Sequence, residues 1–147
     1  MYILFAIARV LLVLVFIVSG AMKLLDIQGT AAAIQPVVTI PEFLQDPVAQ
    51  VETATSMKWP QLLAIMSGVV ELVGALLIAF NIATRAAAFV LALFTLVATY
   101  YFHAFWNMSG EAMQTNMVMA LKNLSIIGGL LIMVVLGSWR PVRPAQA

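Results

Sequence analysis

Apolar residues gather in four runs along the chain, covering 4–25, 61–80, 85–106 and 117–137. Each reaches the length of about 20 mainly apolar residues that a helix needs to cross a bilayer. Within each run, polar and small residues recur at helical spacing and so share one stripe. On the first run the stripe is Arg9, Val13, Phe16, Gly20 and Lys23. On the second it is Ala64, Ser67, Glu71, Gly74 and Ala75. The third carries Ala88, Thr95, Thr99, Phe102 and Trp106, with His103 at its edge. The fourth carries Met119, Lys122, Ile126, Gly129 and Met133, flanked by Asn123 and Ser125. Small residues let helix backbones approach closely in lipid, where no hydrophobic force drives helices together. The pattern predicts an all-α fold: an integral membrane four-helix bundle with a polar interior, as a single transmembrane domain over 1–147.

The connections differ in kind. "NIATR" between the second and third runs is short enough to make an antiparallel hairpin, and "NMSGEAMQTN" joins the third to the fourth. The segment 26–60 is long, and Pro36, Pro41 and Pro47 interrupt any extended helix in it. A structureless loop of that length is uncommon. It is expected to hold short helices ordered against the mouth of the bundle at the membrane surface. "GTAAAI" and "PEFLQ" can each form a turn or two, and "DPVAQVETA" offers Asp46 as a cap with Pro47 at the first helical position. The first run does not read as a signal peptide. It has no basic region before it, exceeds a signal core in length, and contains Arg9.

Composition narrows the function classes. The chain is 64% hydrophobic and 9% charged, which suits lipid and not a soluble core. A net charge of +1 gives no nucleic-acid signal. The absence of cysteine excludes self-contained disulfide exchange, thiolate metal sites, iron–sulfur ligation and c-type haem attachment. The single His103 excludes a bis-histidine haem within one chain, and one His with one Glu makes a poor metal site, so no metal is expected. Arg9, Arg85, Arg140 and Arg143 are expected on one side of the membrane, and Lys23, Lys58 and Lys122, with Asp26, Glu42, Asp46, Glu52 and Glu111, on the other, an excess of arginine on the first side. That asymmetry places both termini in the cytoplasm and the 26–60 loop outside it. Trp59, Trp106, Trp139 and Tyr2 sit at the ends of runs, where interfacial aromatics belong.

Glu71 stands near the middle of "SGVVELVGALLIAFNIATRAAA". A charged side chain at that depth costs at least about 2.5 kcal/mol and is normally kept for a reason. Counted from the ends of the runs at about 1.5 Å per residue, Glu71 lies roughly 15 Å from the outer face. Arg9 lies about 9 Å from the inner face and Lys122 about 8 Å from the outer one. Both come within about 6–8 Å of Glu71 along the membrane normal, so a buried pair with Arg9, or next with Lys122, is expected. Arg9, Glu71, His103, Lys122 and Asn123 then form a candidate polar pocket, with Tyr100, Phe102 and Trp106 available to line it. Buried ion pairs can equally serve to fix which helices are neighbours.

Three stretches together resemble one family. They are "ARVLLVLVFIVSGAMKLLDIQGTAA", "MSGVVELVGALLIAFNIATRAAAFVLAL" and "YFHAFWNMSGEAMQTNMVMALKNLSIIGGLLIMV". The chain is similar over nearly its whole length to the DoxX family of small bacterial four-helix membrane proteins. The most specific parts are Arg9, the "GAMK" of Gly20 to Lys23, Glu71 with Gly74, Thr84-Arg85, His103, and "LKNLSIIGGLL" with Lys122, Asn123, Gly128 and Gly129. The resemblance implies a link to redox biology. The founding name belongs to a subunit of an archaeal thiosulfate:quinone oxidoreductase. A mycobacterial relative is described as the membrane anchor of a complex with a superoxide dismutase and a thiol sulfurtransferase. No catalytic residue carries over.

Three functions follow as expectations: an accessory or scaffold subunit of a membrane-bound redox assembly, a quinone-reactive or small-molecule-binding oxidoreductase subunit, and a small transporter. No resident cofactor is expected, with a quinone or a lipid as the candidate ligand. The expected partners are membrane lipid and other membrane-protein subunits or a second copy of the chain.

Overall fold

A computed structural model describes residues 2–137, so Trp139, Arg140 and Arg143 of the orientation pattern lie outside the described residues. The chain forms α1 (Tyr2–Leu25), α2 (Ile27–Ile34), α3 (Gln45–Thr55), α4 (Trp59–Ala79), α5 (Thr84–Phe102) and α6 (Gly110–Leu136). The helices α1, α4, α5 and α6 are long and apolar enough to cross a membrane. The ends of α1, α4 and α5 fall close to the limits of the apolar runs. Helix α6 starts seven residues before its run, because Glu111 to Asn116 continue the helix beyond the apolar stretch. The third run ends at Phe102 as an α-helix and continues as a single 3-10 turn, Phe105–Asn107.

The four spans pack as two intimate pairs, α1 on α4 and α5 on α6, with α4 and α5 joining the pairs. Helices α1 and α6 meet at few residues, with Leu12 lying against Gly129. Between the pairs is an apolar core that includes Val13, Phe16, Ala75, Ile78, Ala88, Leu91, Leu130 and Met133. The α1–α4 contact is the closest. A Cβ on Gly20 would lie 2.8 Å from the Gly68 carbonyl oxygen and 2.8 Å from the Leu72 nitrogen. Only glycine at 20 lets the backbones cross there.

The segment between α1 and α4 is helical in part, but it does not all pack on the bundle. Helix α2 does: Ala31 and Ile34 are buried against Ala64, with Ile27, Val38, Trp59 and Leu63 around them. Asp26 caps α2 by accepting a hydrogen bond from Gly29 N–H at 2.9 Å. Helix α3 buries none of its residues, because Val48 and Val51 are its only large aliphatic side chains. It starts at Gln45 after a 3-10 turn, Glu42–Leu44, so Asp46 and Pro47 occupy its first turn and Asp46 does not cap it. Its tie to the bundle runs through Glu52, whose Oε1 accepts from Trp59 N–H at 2.6 Å, the first residue of α4.

The α4–α5 turn uses left-handed backbone at Asn81 (φ 62°) and at Ala83 (φ 46°). Ile82 N–H reaches back to the Leu77 carbonyl at 2.8 Å, and Thr84 Oγ1 donates to Asn81 Oδ1 at 3.2 Å. Asn tolerates this conformation, whereas an alanine in it is strained by about 1 kcal/mol. Ala83→Gly is therefore expected to raise the thermal midpoint in detergent slightly, the gain being trimmed by glycine's larger unfolded entropy. A lowered midpoint would show that Ala83 is held there by something other than the turn.

Candidate functional site: a buried ion pair between α1 and α4

The partner of Glu71 is Lys23. Lys23 Nζ donates to Glu71 Oε1 at 2.5 Å. This corrects the expectation that Arg9 or Lys122 fills that place. The geometry follows from the glycine crossing. Lys23 lies three residues after Gly20, and Glu71 three residues after Gly68. Glu71 lies beside Gly20, since a Cβ on Gly20 would come 3.1 Å from the Glu71 Cβ, so Lys23 stands about 5 Å further toward the loop side along the antiparallel pair. Helical side chains lean toward their own N-terminus, so in this antiparallel pair the two lean toward each other and meet between those levels. The lysine ammonium also sits 5.5 Å from the ring centre of Phe94 on α5. One side chain of α1 thus ties three spans together.

The pair is enclosed unevenly. The Glu71 side chain is 5% exposed and that of Lys23 26%. Glu71 Oε2 is buried without a hydrogen-bond partner among the described residues. The carboxylate therefore keeps an acceptor position open toward the interior of the bundle.

The other candidate residues do not join this pair. Asn123 Nδ2 donates to Thr99 Oγ1 at 2.9 Å, and Thr99 Oγ1 donates to the Thr95 carbonyl at 2.6 Å, which links α6 to α5. His103 Nδ1 lies 3.0 Å from Asn116 Oδ1 at the loop-side end of the same helix pair. Arg9 sits in the other half of the bundle with its Nε buried and without a hydrogen-bond partner, and its guanidinium lies 5.7 Å from the ring centre of Phe5. Buried Val13, Phe16, Ala75 and Ile78 follow in sequence between Arg9 and the ion pair on α1 and α4. Lys122 is exposed on α6 and makes no ion pair or hydrogen bond among the described residues. At the far end of the spans, Arg85 Nη2 donates to the Val135 carbonyl at 3.4 Å, beside Gly137 (φ 62°).

Sequence reasoning placed Lys23 on the correct stripe but assigned Glu71 elsewhere. Thr99 as the partner of Asn123 and Asn116 as that of His103 were also not foreseen. The signal that finds Lys23 is the matched spacing: a glycine followed three residues later by a charge, Gly20-Lys23 and Gly68-Glu71, on consecutive spans.

Four apolar helices joined by these internal polar links define a small multi-pass α-helical membrane protein. The DoxX family model matches residues 4–104, and the chain belongs to that family. The matched stretch holds the ion pair and ends before α6 begins. The chain is also 30% identical over 135 residues to the inner membrane protein YphA of Escherichia coli (strain K12), which covers 92% of this chain and 84% of that protein. That similarity extends over α6. No solved structure matches the chain. The spans and the relative together make this a multi-pass protein of the bacterial inner membrane.

Proposed function

We propose that the protein is an accessory or scaffold subunit of a membrane-bound redox assembly, with both termini in the cytoplasm. The observation that carries the subunit role is α3. It is an 11-residue helix on the loop side with no residue buried. Phe43 is 78% exposed, and Leu44 and Val51 are exposed as well. Exposed Glu42 and Asp46 border these apolar side chains. A short helix without a packed face is marginal alone. An apolar strip rimmed by carboxylates is the kind of surface that a partner covers. The internal polar groups meanwhile serve helix–helix contacts, which suits a frame. The redox part of the reading rests on membership of the DoxX family. The cytoplasmic termini rest on the sequence count of Arg9, Arg85, Arg140 and Arg143 against Lys23, Lys58 and Lys122 on the loop side.

A second reading has one specific support. The unpartnered Glu71 Oε2 beside a partly exposed Lys23 can accept a hydrogen bond from a small ligand hydroxyl, as a quinone-reactive or other small-molecule-binding subunit requires. A transport role is less favoured, because the apolar core separates Arg9 from the ion pair.

The test is purification of the tagged protein in mild detergent, followed by mass spectrometry and an absorption spectrum. A subunit brings down a stoichiometric partner carrying a redox centre, and Phe43→Asp with Val51→Asp releases it. Isolation of the chain alone, as a uniform species in both forms, sinks the proposal.

A further inference from the structure

Arg9 stands at the end of the bundle opposite the loop side, and its level is fixed by the glycine crossing. Gly20 lies beside Gly68 and Leu72 of α4. Arg9 comes eleven residues before Gly20, about 16 Å toward the α4–α5 turn. Ala79, the last residue of α4, lies about 10–16 Å from the crossing in the same direction. Arg9 is therefore level with the end of α4. Eleven residues make three turns with a drift of about 20°, so Arg9 shares the stripe of Gly20. It is also about 60° round from Leu12, which touches Gly129 of α6. The side chain thus points between α4 and α6, over the place where α4 stops. Its lean toward the N-terminus of α1 carries the guanidinium outward, to the depth of lipid phosphates.

The guanidinium meets no anion among the described residues. Nε is buried without a hydrogen-bond partner, and the two Nη atoms stay accessible and make no hydrogen bond among those residues either. The carbonyls of Leu76, Leu77 and Ile78 at the end of α4 are taken by the N–H groups of Phe80, Ile82 and Asn81. Of the six acidic residues, Asp26, Glu42, Asp46, Glu52 and Glu111 belong to the loop side, and Glu71 is held by Lys23. An arginine cannot shed its charge as a buried lysine can, so the demand for an anion stays. The site opens toward lipid. Gly129 and Leu136 are two turns apart and so share one side of α6, with Ile132 between them. Ile132 and Leu136 are exposed, so α1 and α6 have parted beyond the Leu12–Gly129 contact. With Leu131 and Val135 they line an apolar concavity of about 320 Å³.

We infer that Arg9 holds the phosphate of one phospholipid from the leaflet on the α4–α5 turn side, with an acyl chain lying along the aliphatic concavity of α6. The two accessible Nη groups offer the paired donors that a phosphate diester takes on its two unesterified oxygens. The Phe5 ring, 5.7 Å from the guanidinium carbon, backs that fork. Arg85, at the start of α5, adds a second positive charge to the same end of the bundle. The aliphatic approach selects an anion that carries hydrocarbon over a free phosphate ion. A second copy of the chain fits worse, because it brings no Asp or Glu to this end. The inference does not depend on the redox reading.

The test is native mass spectrometry of the delipidated full chain in detergent. It is titrated with phosphatidylglycerol, with a diacylglycerol of the same acyl chains, and with inorganic phosphate. Wild type is expected to hold one phosphatidylglycerol at least about fivefold more tightly than the diacylglycerol, and equimolar inorganic phosphate should not displace it. Arg9→Gln weakens phosphatidylglycerol by about fivefold, the effect of one basic residue near a lipid surface, and leaves the diacylglycerol unchanged. Arg9→Lys keeps part of the binding, because the charge stays and the fork is lost. Lys122→Gln, which removes an exposed cation near the other end, leaves the bound phosphatidylglycerol in place. Equal retention of the two lipids by wild type overturns the inference even if a variant fails to fold. So does an Arg9→Gln protein with wild-type affinity, or a Lys122→Gln protein that loses as much. Displacement of the lipid by equimolar inorganic phosphate also overturns it, since the anion would then come from solution.

Discussion

Lys23→Leu is expected to lower the stability of the detergent-solubilised protein by about 3–5 kcal/mol, the range for breaking a buried pair and stranding its partner. Glu71→Leu should cost clearly less. The Glu71 carboxylate is almost fully enclosed, so it has nowhere to go when Lys23 is lost. Lys23 is two residues from the end of α1 and a quarter exposed, so without Glu71 its ammonium can turn toward the interface. The double variant should lie close to Glu71→Leu alone, because both charges are then gone. Glu71→Gln should be milder than Glu71→Leu, since an amide oxygen still accepts from Lys23. Arg9→Leu combined with Glu71→Leu should simply add, as expected of separate sites without shared partners. Thermal and denaturant melts of the set in one detergent decide the matter. Equal melting of wild type and Lys23→Leu would remove the pair from any structural role.

Gly20→Val is expected to have an effect at least as large. Its Cβ would meet backbone atoms of α4 at 2.8 Å, and backbone inside a helix cannot step aside as a side chain does. The two helices must separate, at the cost of about 1–3 kcal/mol or more for overpacking. Separation also pulls Lys23 from Glu71 and adds the loss of the pair. Gly128 offers the contrast, because a Cβ there meets nothing within 4 Å. Gly128→Ala should leave the melting midpoint near that of wild type, or raise it through better helix propensity. If Gly20→Val accumulates in membranes and melts with wild type, the close crossing is not what holds α1 to α4.

Fold class and the spans were legible because lipid imposes a strong rule: a long apolar run must be helical to satisfy its backbone. Side-chain partnerships were less legible. Depths counted from the ends of the runs put Lys23 at the surface and Glu71 at the midplane. That count treats all helices as ending at one level. Helix α4 instead continues past the end of α1, where α2 packs beside it, and this shifts the register between α1 and α4. A Gly–Gly crossing carries register information that run lengths do not. Lys122 was misassigned for a different reason. Its stripe faces the bundle interior only if α1 closes on α6 along its full length, and α1 does so only near Leu12 and Gly129. The cap expected at Asp46 failed locally, since the 3-10 turn at Glu42–Leu44 feeds straight into α3 and takes the starting position for itself.

The order of the two charges along the chain has a consequence for biogenesis. Helix α1 leaves the ribosome with Lys23 near its loop-side end, where a long cation can rest among lipid head groups while the next 35 residues, 24–58, are made. Glu71 enters the bilayer only with α4, and its counter-ion is by then already in place. Had the residues been exchanged, α1 would leave a short carboxylate at the rim, with less reach to the head groups than a lysine has. As built, the demanding residue arrives second and meets a cation already waiting on the helix that it packs against.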